Sequence, residues 1–137
     1  VYYSVKALGN NMKVYSTDVC VPISKLVECI SWAEKEVNRL GLTAPMVGHV
    51  GDGNFHSIIL YDPHDKEKQK KIRQYSDDLI NKALELEGTI TGEHGIGLQK
   101  KHYLLKEHMD NIPGMKAIKR SIDCNNIMNP GKVFDLN

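Results

Sequence analysis

The sequence predicts an α+β fold: a ferredoxin-like split βαβ sandwich with an antiparallel sheet and helices on one face, plus short C-terminal helices. Three observations predict it. Apolar and β-branched residues cluster in short runs bounded by Gly, Asn and Pro. Two longer stretches switch to helical spacing, and from Val14 onward the order is strand, helix, strand, strand, helix, short strand.

Val1 to Leu8 and Val14 to Val21 read as strands joined by Gly9-Asn10-Asn11, a hairpin signal. Pro22 then precedes a helix whose Leu26, Ile30, Ala33, Val37 and Leu40 share one face, and Gly41 is placed to end it. A strand from Pro45 to Val50 follows, then a Gly-Asp-Gly turn and a strand from Phe55 to Tyr61. The second amphipathic helix turns Ile72, Tyr75, Leu79, Ala83 and Leu86 inward, and Gly88 closes it. Thr89 to Thr91 is a short strand, and helices are expected around Tyr103 to Glu107 and Pro113 to Ile122. A sheet covered by helices on one side leaves its other face open to dock a neighbouring domain.

Size and charge limit what such a fold can do. A chain of 137 residues, 41% hydrophobic and 26% charged, is sufficient for one globular core, so residues 1–137 are read as a single domain. With 18 basic against 17 acidic residues the net charge is +1, which gives no electrostatic footprint for nucleic acid. No apolar run reaches the roughly 20 residues of a membrane span. Cys20, Cys29 and Cys124 are odd in number and have no CxxC spacing, which suits a reducing compartment. The opening "VYYSVKAL" enters a strand without a methionine, so a longer protein is expected, with its targeting information upstream.

The stretch "GHVGDGNFH", residues 48–56, carries the first chemistry. Asp-Gly is the strongest short signal for a two-residue turn. With Asp52 and Gly53 at the turn, Val50 faces Phe55 and His49 faces His56, with Cβ atoms about 5 Å apart. Two neutral imidazoles so placed can converge on one cation. Glu93-His94, bracketed by Gly92, Gly95 and Gly97, is the second candidate, because glycines hold the polar pair on irregular chain. A carboxylate joined to two histidines is a common zinc set with an open position for water or substrate. His64, His102 and His108 have no such pairing and read as ordinary structural or surface histidines.

Other meanings of the glycines fail on spacing. Neither Gly48-x-x-Gly51-x-Gly53 nor Gly92-x-x-Gly95-x-Gly97 has the G-x-G-x-x-G order, and neither has the lysine and hydroxyl of a P-loop. "HGIG" matches an esterase oxyanion loop, but the chain has no G-x-S-x-G elbow. Asp52 lacks the alternating oxygen ligands of an EF-hand.

Taken together, "GHVGDGNFH", "GTITGEHGIG" and "IMNPGKVF" resemble the C-terminal part of the FAD-linked oxidase family of the vanillyl-alcohol-oxidase superfamily, over essentially the whole chain. "YSTDVCVPISKL" resembles the mitochondrial, D-lactate-oxidising, cytochrome-c-reducing branch more than the hydroxyglutarate or glycolate branches. The resemblance implies a divalent metal, usually zinc, on His49, His56 and Glu93, with His94 as the base and Asn129 near the flavin. Read as residues alone, Asn129-Pro130-Gly131 is equally a helix stop and turn. The resemblance also implies FAD held mainly by an upstream domain that this chain docks against, a small 2-hydroxy acid as substrate, and cytochrome c as electron acceptor. A fragment of this extent is expected to be inactive alone, and as an isolated piece it also reads as a non-catalytic metal-binding module. One departure is informative. Hydroxyglutarate-oxidising members carry a lysine shortly before the D-x-x-x-P segment, and Ser16 stands there in this chain, which suits a short monocarboxylate better than a diacid. Arg39, Arg73 and Arg120 fall on expected helices and read as solvated.

Overall fold

The computed structural model describes residues 11–136. The expected strand over residues 1–8, and the hairpin signal at Gly9 and Asn10, lie outside them. The chain divides into two compact units, Val1–Gly92 and Glu93–Asn137.

In the first unit the strands are β1 (Lys13–Ser16), β2 (Val19–Cys20), β3 (Met46–His49) and β4 (Asn54–Tyr61), with helices α1 (Ile23–Leu40) and α2 (Lys66–Glu85). β4 is the centre of the sheet and pairs antiparallel with the other three. β1 and β2 keep one register along it: Ser16 pairs with Ile58 and Val19 with Phe55, and the Thr17 amide donates to the Ser57 carbonyl at 3.1 Å. Residues 13–20 therefore act as one strand, as the apolar run from Val14 predicts. Thr89 bridges antiparallel to Cys20 on the far side of that strand. Counting residues 13–20 as the first strand and Thr89 as the last, the sheet order is fourth, first, third, second. Together with the βαββαβ element order, this is the ferredoxin-like arrangement that the periodicity predicts.

The helices form where the sequence allows them. α1 follows Pro22, whose fixed φ suits a helix start, and stops at Gly41 in the left-handed region, φ 65°. α2 is capped by Asp65, whose carboxylate accepts the Lys68 amide at 2.9 Å. Of the expected inward residues, Leu26, Ala33, Val37 and Leu40 of α1 and Ile72, Tyr75, Leu79 and Ala83 of α2 are buried, whereas Ile30 is only part-buried and the neighbouring Cys29 is buried instead. α2 covers the face of β4 that carries Phe55, Ser57 and Ile59, and the hydroxyls of Ser57 and Tyr75 lie 2.6 Å apart within that layer. Burial pushes the Tyr75 phenol up to about 12 and the Cys29 thiol up to about 11.

Three expectations are corrected. The turn before β4 is not the two-residue Asp52-Gly53 turn: Val50–Asp52 form a short 3-10 turn, and Gly53, φ 75°, closes it by donating to the Val50 carbonyl. The left-handed residue after α2 is Glu87, φ 61°, rather than Gly88, whose amide returns to the Ala83 carbonyl. The sheet face opposite the helices is also not an open apolar surface along β4, since Asn54, His56 and Ile58 on that face are all buried.

The second unit contains α3 (Lys101–His108) and α4 (Ile112–Ile122), the two short C-terminal helices, joined through a 3-10 turn at Met109–Asn111. Its tail is tied back by the Val133 amide, which donates to the Gly97 carbonyl at 2.8 Å, and by the ion pair of Lys101 with Asp135 at 2.6 Å. Asp123 ends α4 by pairing with Lys119 and accepting the Met128 and Ile127 amides, and the Lys119 hydrogen bond first, then the two amides, hold its carboxyl below the usual range.

Candidate metal and substrate site

β4 presents its even-numbered residues to the face away from the helices, because side chains alternate along a strand. On that face Val47 stands opposite His56, and the register of residues 13–20 places Asp18 on the other side of His56. The next row along the strand is His49, Asn54, Cys20. His49 is therefore diagonal to His56, not directly across from it. The expected opposition fails because the 3-10 turn takes in more residues than the Asp-Gly signal suggested, which shifts the register by two. A shift of two keeps every side chain on its face. His49 and His56 thus share one face, at a diagonal separation of about 7–8 Å between Cα atoms, still within reach of imidazoles.

The His56 ring is 7% exposed and fixed by its surroundings. Its Nδ1 lies 3.0 Å from the Thr17 carbonyl oxygen, an atom that can only accept, so Nδ1 carries a proton and, in the neutral ring, Nε2 is the acceptor nitrogen. Thr17 is itself held twice to Ser57, since its amide donates to the Ser57 carbonyl and its side-chain hydroxyl accepts the Ser57 amide at 2.8 Å. A histidine whose far nitrogen is tied to a backbone carbonyl is the usual form of a metal ligand.

Asp18 is the residue that reading the sequence missed. It is 2% exposed, and both carboxyl oxygens accept hydrogen bonds: Oδ1 from the Asn54 amide nitrogen at 2.9 Å, Oδ2 from the Thr91 hydroxyl at 2.6 Å and from the Gly92 amide at 2.9 Å. Oδ1 is also 3.6 Å from His56 Nδ1. An aspartate inside a β-branched run was the available signal, because strands are depleted in Asp. Asn54 is held by a second bond to the Val19 carbonyl at 2.9 Å, which leaves its Oδ1 buried with no hydrogen-bond partner among the described residues. Cys20 stands in the same row. Burial first, then Asp18 and Asp52, pushes its thiol up, and its sulfur donates to the Asp52 carbonyl at 3.1 Å.

The remaining candidates lie in the second unit. Glu93 and His94 are each about half exposed, with His94 Nε2 3.8 Å from Glu93 Oε1. Gly95 and Gly97 both have positive φ, 75° and 53°, so the chain after the pair is bent in the way the glycines predicted. Asn129, φ 47°, accepts the Lys132 amide at 3.2 Å and so makes the turn that its sequence suggested.

The residues present fit a divalent cation on the chemistry of their donors. His56 offers a tautomer with Nε2 as acceptor, His49 shares its face, and the orphaned Asn54 Oδ1 gives the patch a further buried oxygen. The split βαβ sheet thus carries an imidazole and a carboxylate side by side on its non-helical face. Residues 3–133 match the model of the C-terminal domain of FAD linked oxidases, and the chain belongs to that family. It is 45% identical over 137 residues to a probable mitochondrial D-lactate dehydrogenase of Danio rerio, covering 98% of this chain and 27% of that protein. It is 44% identical over 129 residues to the mitochondrial D-lactate dehydrogenase [cytochrome] of Arabidopsis thaliana, covering 93% and 23%. With the glycolate oxidase subunit GlcD of Bacillus subtilis it shares 37% identity over 118 residues, covering 85% and 25%. The chain spans about a quarter of the length of these relatives.

Proposed function

We propose that this chain is the metal- and substrate-binding portion of an FAD-dependent D-2-hydroxy acid dehydrogenase. The enzyme oxidises D-lactate to pyruvate and passes electrons to cytochrome c in the mitochondrion. His49, His56 and Glu93 hold a divalent cation, with zinc the leading candidate. His94 is the base and Asn129 lies near the flavin. FAD is held mainly by a domain outside this chain.

The observation that carries this reading is the His56 ring, buried and fixed with Nε2 as its acceptor nitrogen on the same sheet face as His49. When bound, the cation supplies positive charge to the hydroxyl and carboxylate of a 2-hydroxy acid, and FAD takes up the two electrons. His49 and His56 fix one side of that position from a rigid sheet. Burial of His56 and Asn54 keeps bulk water from the base of the patch. A ring nitrogen of His94 takes the proton of the substrate hydroxyl, after which the α-hydrogen can leave with its bonding pair. Ser16 lies on the same face as Asp18, two residues along, and offers no positive charge to a distal carboxylate, which favours a short acid.

Full-length protein assayed against D-lactate, glycolate and D-2-hydroxyglutarate, with cytochrome c reduction as the readout, tests the reading. The highest kcat/KM is expected with D-lactate. A preference for glycolate would support the second reading, a glycolate-oxidising member, which the match to the Bacillus subtilis subunit favours. Inactivity on all 2-hydroxy acids would overturn both.

A further inference from the structure

The polar contacts of the non-helical face converge on one side chain that none of the proposed roles uses. Asp18 accepts from Asn54 on β4 and from Thr91 and Gly92, residues 36, 73 and 74 positions away in the sequence. Those partners lie on two separate segments. One is the strand that carries His56, and the other is the last residues before Glu93 in the chain. The Gly92 backbone is pressed so closely against Asn54 and Asp18 that a Cβ there would overlap the Asn54 amide. A carboxyl group is the one side-chain terminus of this size that can accept at both ends at once, since an amide would turn an NH2 toward one set of donors.

We infer that Asp18 is the positioning residue of the metal site, setting the orientation of His56 and holding Thr91 and Gly92 against the sheet. The inference rests on the metal reading above. Asp18 does not touch the cation in this account. It acts through others: Oδ1 stands 3.6 Å from His56 Nδ1, beside the Thr17 carbonyl that takes that proton, and Oδ2 holds Thr91 and Gly92. Outer partners of this kind govern metal affinity because they hold the ligands at their binding geometry before the cation arrives.

The test is the affinity of the full-length apoprotein for Zn²⁺, measured by competition with a chromophoric chelator, in Asp18→Asn, Thr91→Val, Thr91→Ser and His56→Ala variants. Asp18→Asn is expected to weaken Zn²⁺ binding by about 10- to 100-fold, the usual effect of losing such a partner. Thr91→Val keeps the volume and removes one donor to Asp18, so it should weaken binding by a smaller factor. Thr91→Ser, which keeps the hydroxyl, should restore it. If Asp18→Asn does not fold, the Thr91 pair decides. Zn²⁺ affinity lost in His56→Ala but kept at the wild-type value in Asp18→Asn or Thr91→Val overturns this inference and leaves the metal reading standing. A wild-type protein without Zn²⁺ affinity, or one whose affinity survives His56→Ala, overturns the metal reading and this inference with it.

Discussion

His56 Nδ1 lies 3.0 Å from the carbonyl oxygen of Thr17, and that contact fixes which imidazole nitrogen is left to accept. The carbonyl is held in turn by the double link between Thr17 and Ser57, so this end of the ring is anchored to the sheet, with Asp18 Oδ1 3.6 Å away beside it. His56→Gln is therefore expected to be worse than a change of ligand type would suggest. An amide cannot reproduce both the donation to Thr17 and the acceptor at the Nε2 position. Metal content of the purified full-length variant, read by elemental analysis, should fall well below one per protein. Full occupancy would show that His56 is not a ligand.

The proposed function gives His94 the substrate proton and not the cation. His94→Asn in the full-length enzyme should cut turnover on D-lactate by about 10² to 10⁴, the usual range for a lost general base. Metal content should stay near the wild-type value. Loss of metal together with activity would make His94 a ligand. Near-normal turnover would place the base outside this chain.

Gly53 closes the turn that sets the His49 register, at φ 75°, and a Cβ on it would meet the Val21 carbonyl oxygen. Gly53→Ala should cost about 1–2 kcal/mol for the left-handed backbone alone, with the overlap against Val21 in addition. Gly51→Ala, two residues earlier, meets nothing within 4 Å and should be close to neutral. Urea unfolding of the two variants separates them, and equal losses would contradict the turn described here.

Burial raises two groups of the helix layer, the Cys29 thiol to about 11 from 9.0 and the Tyr75 phenol to about 12 from 10.0. Both are neutral when protonated, so the folded state holds these protons more tightly than the unfolded chain does. Their stabilisation is fully present below pH 9 for Cys29 and below pH 10 for Tyr75, and it is lost as pH rises through about 11 and about 12. For Tyr75, mostly buried, the linked loss is on the order of 2–3 kcal/mol. Denaturation midpoints should fall between pH 9 and 12, less steeply in Tyr75→Phe. An identical slope in that variant would contradict the assignment.

The parts of this fold that follow from periodicity were legible in the sequence. The inward faces of α1 and α2, the stop at Gly41 and the strand through Phe55 all rest on local spacing, which burial reproduces except at Ile30, where Cys29 is buried instead. The His49–His56 register was not legible to the residue. Gly51-Asp52-Gly53-Asn54 is compatible with turns of more than one length, and the structure draws Val50 into the turn. The shared face survived because the error was an even number of residues. Asp18 was invisible for another reason: its partners are dozens of residues away, and no local pattern announces a contact between Asp18 and Thr91.

The measurement that bears most directly on the whole account is the Zn²⁺ stoichiometry of the full-length protein, taken together with D-lactate-dependent cytochrome c reduction, in His49→Ala, His56→Ala and Glu93→Ala variants. The account predicts about one cation per wild-type protein, with loss of both cation and activity in each of the three. A protein that reduces cytochrome c with D-lactate at wild-type rates after any one of these substitutions, or that keeps its cation through all three, would contradict it.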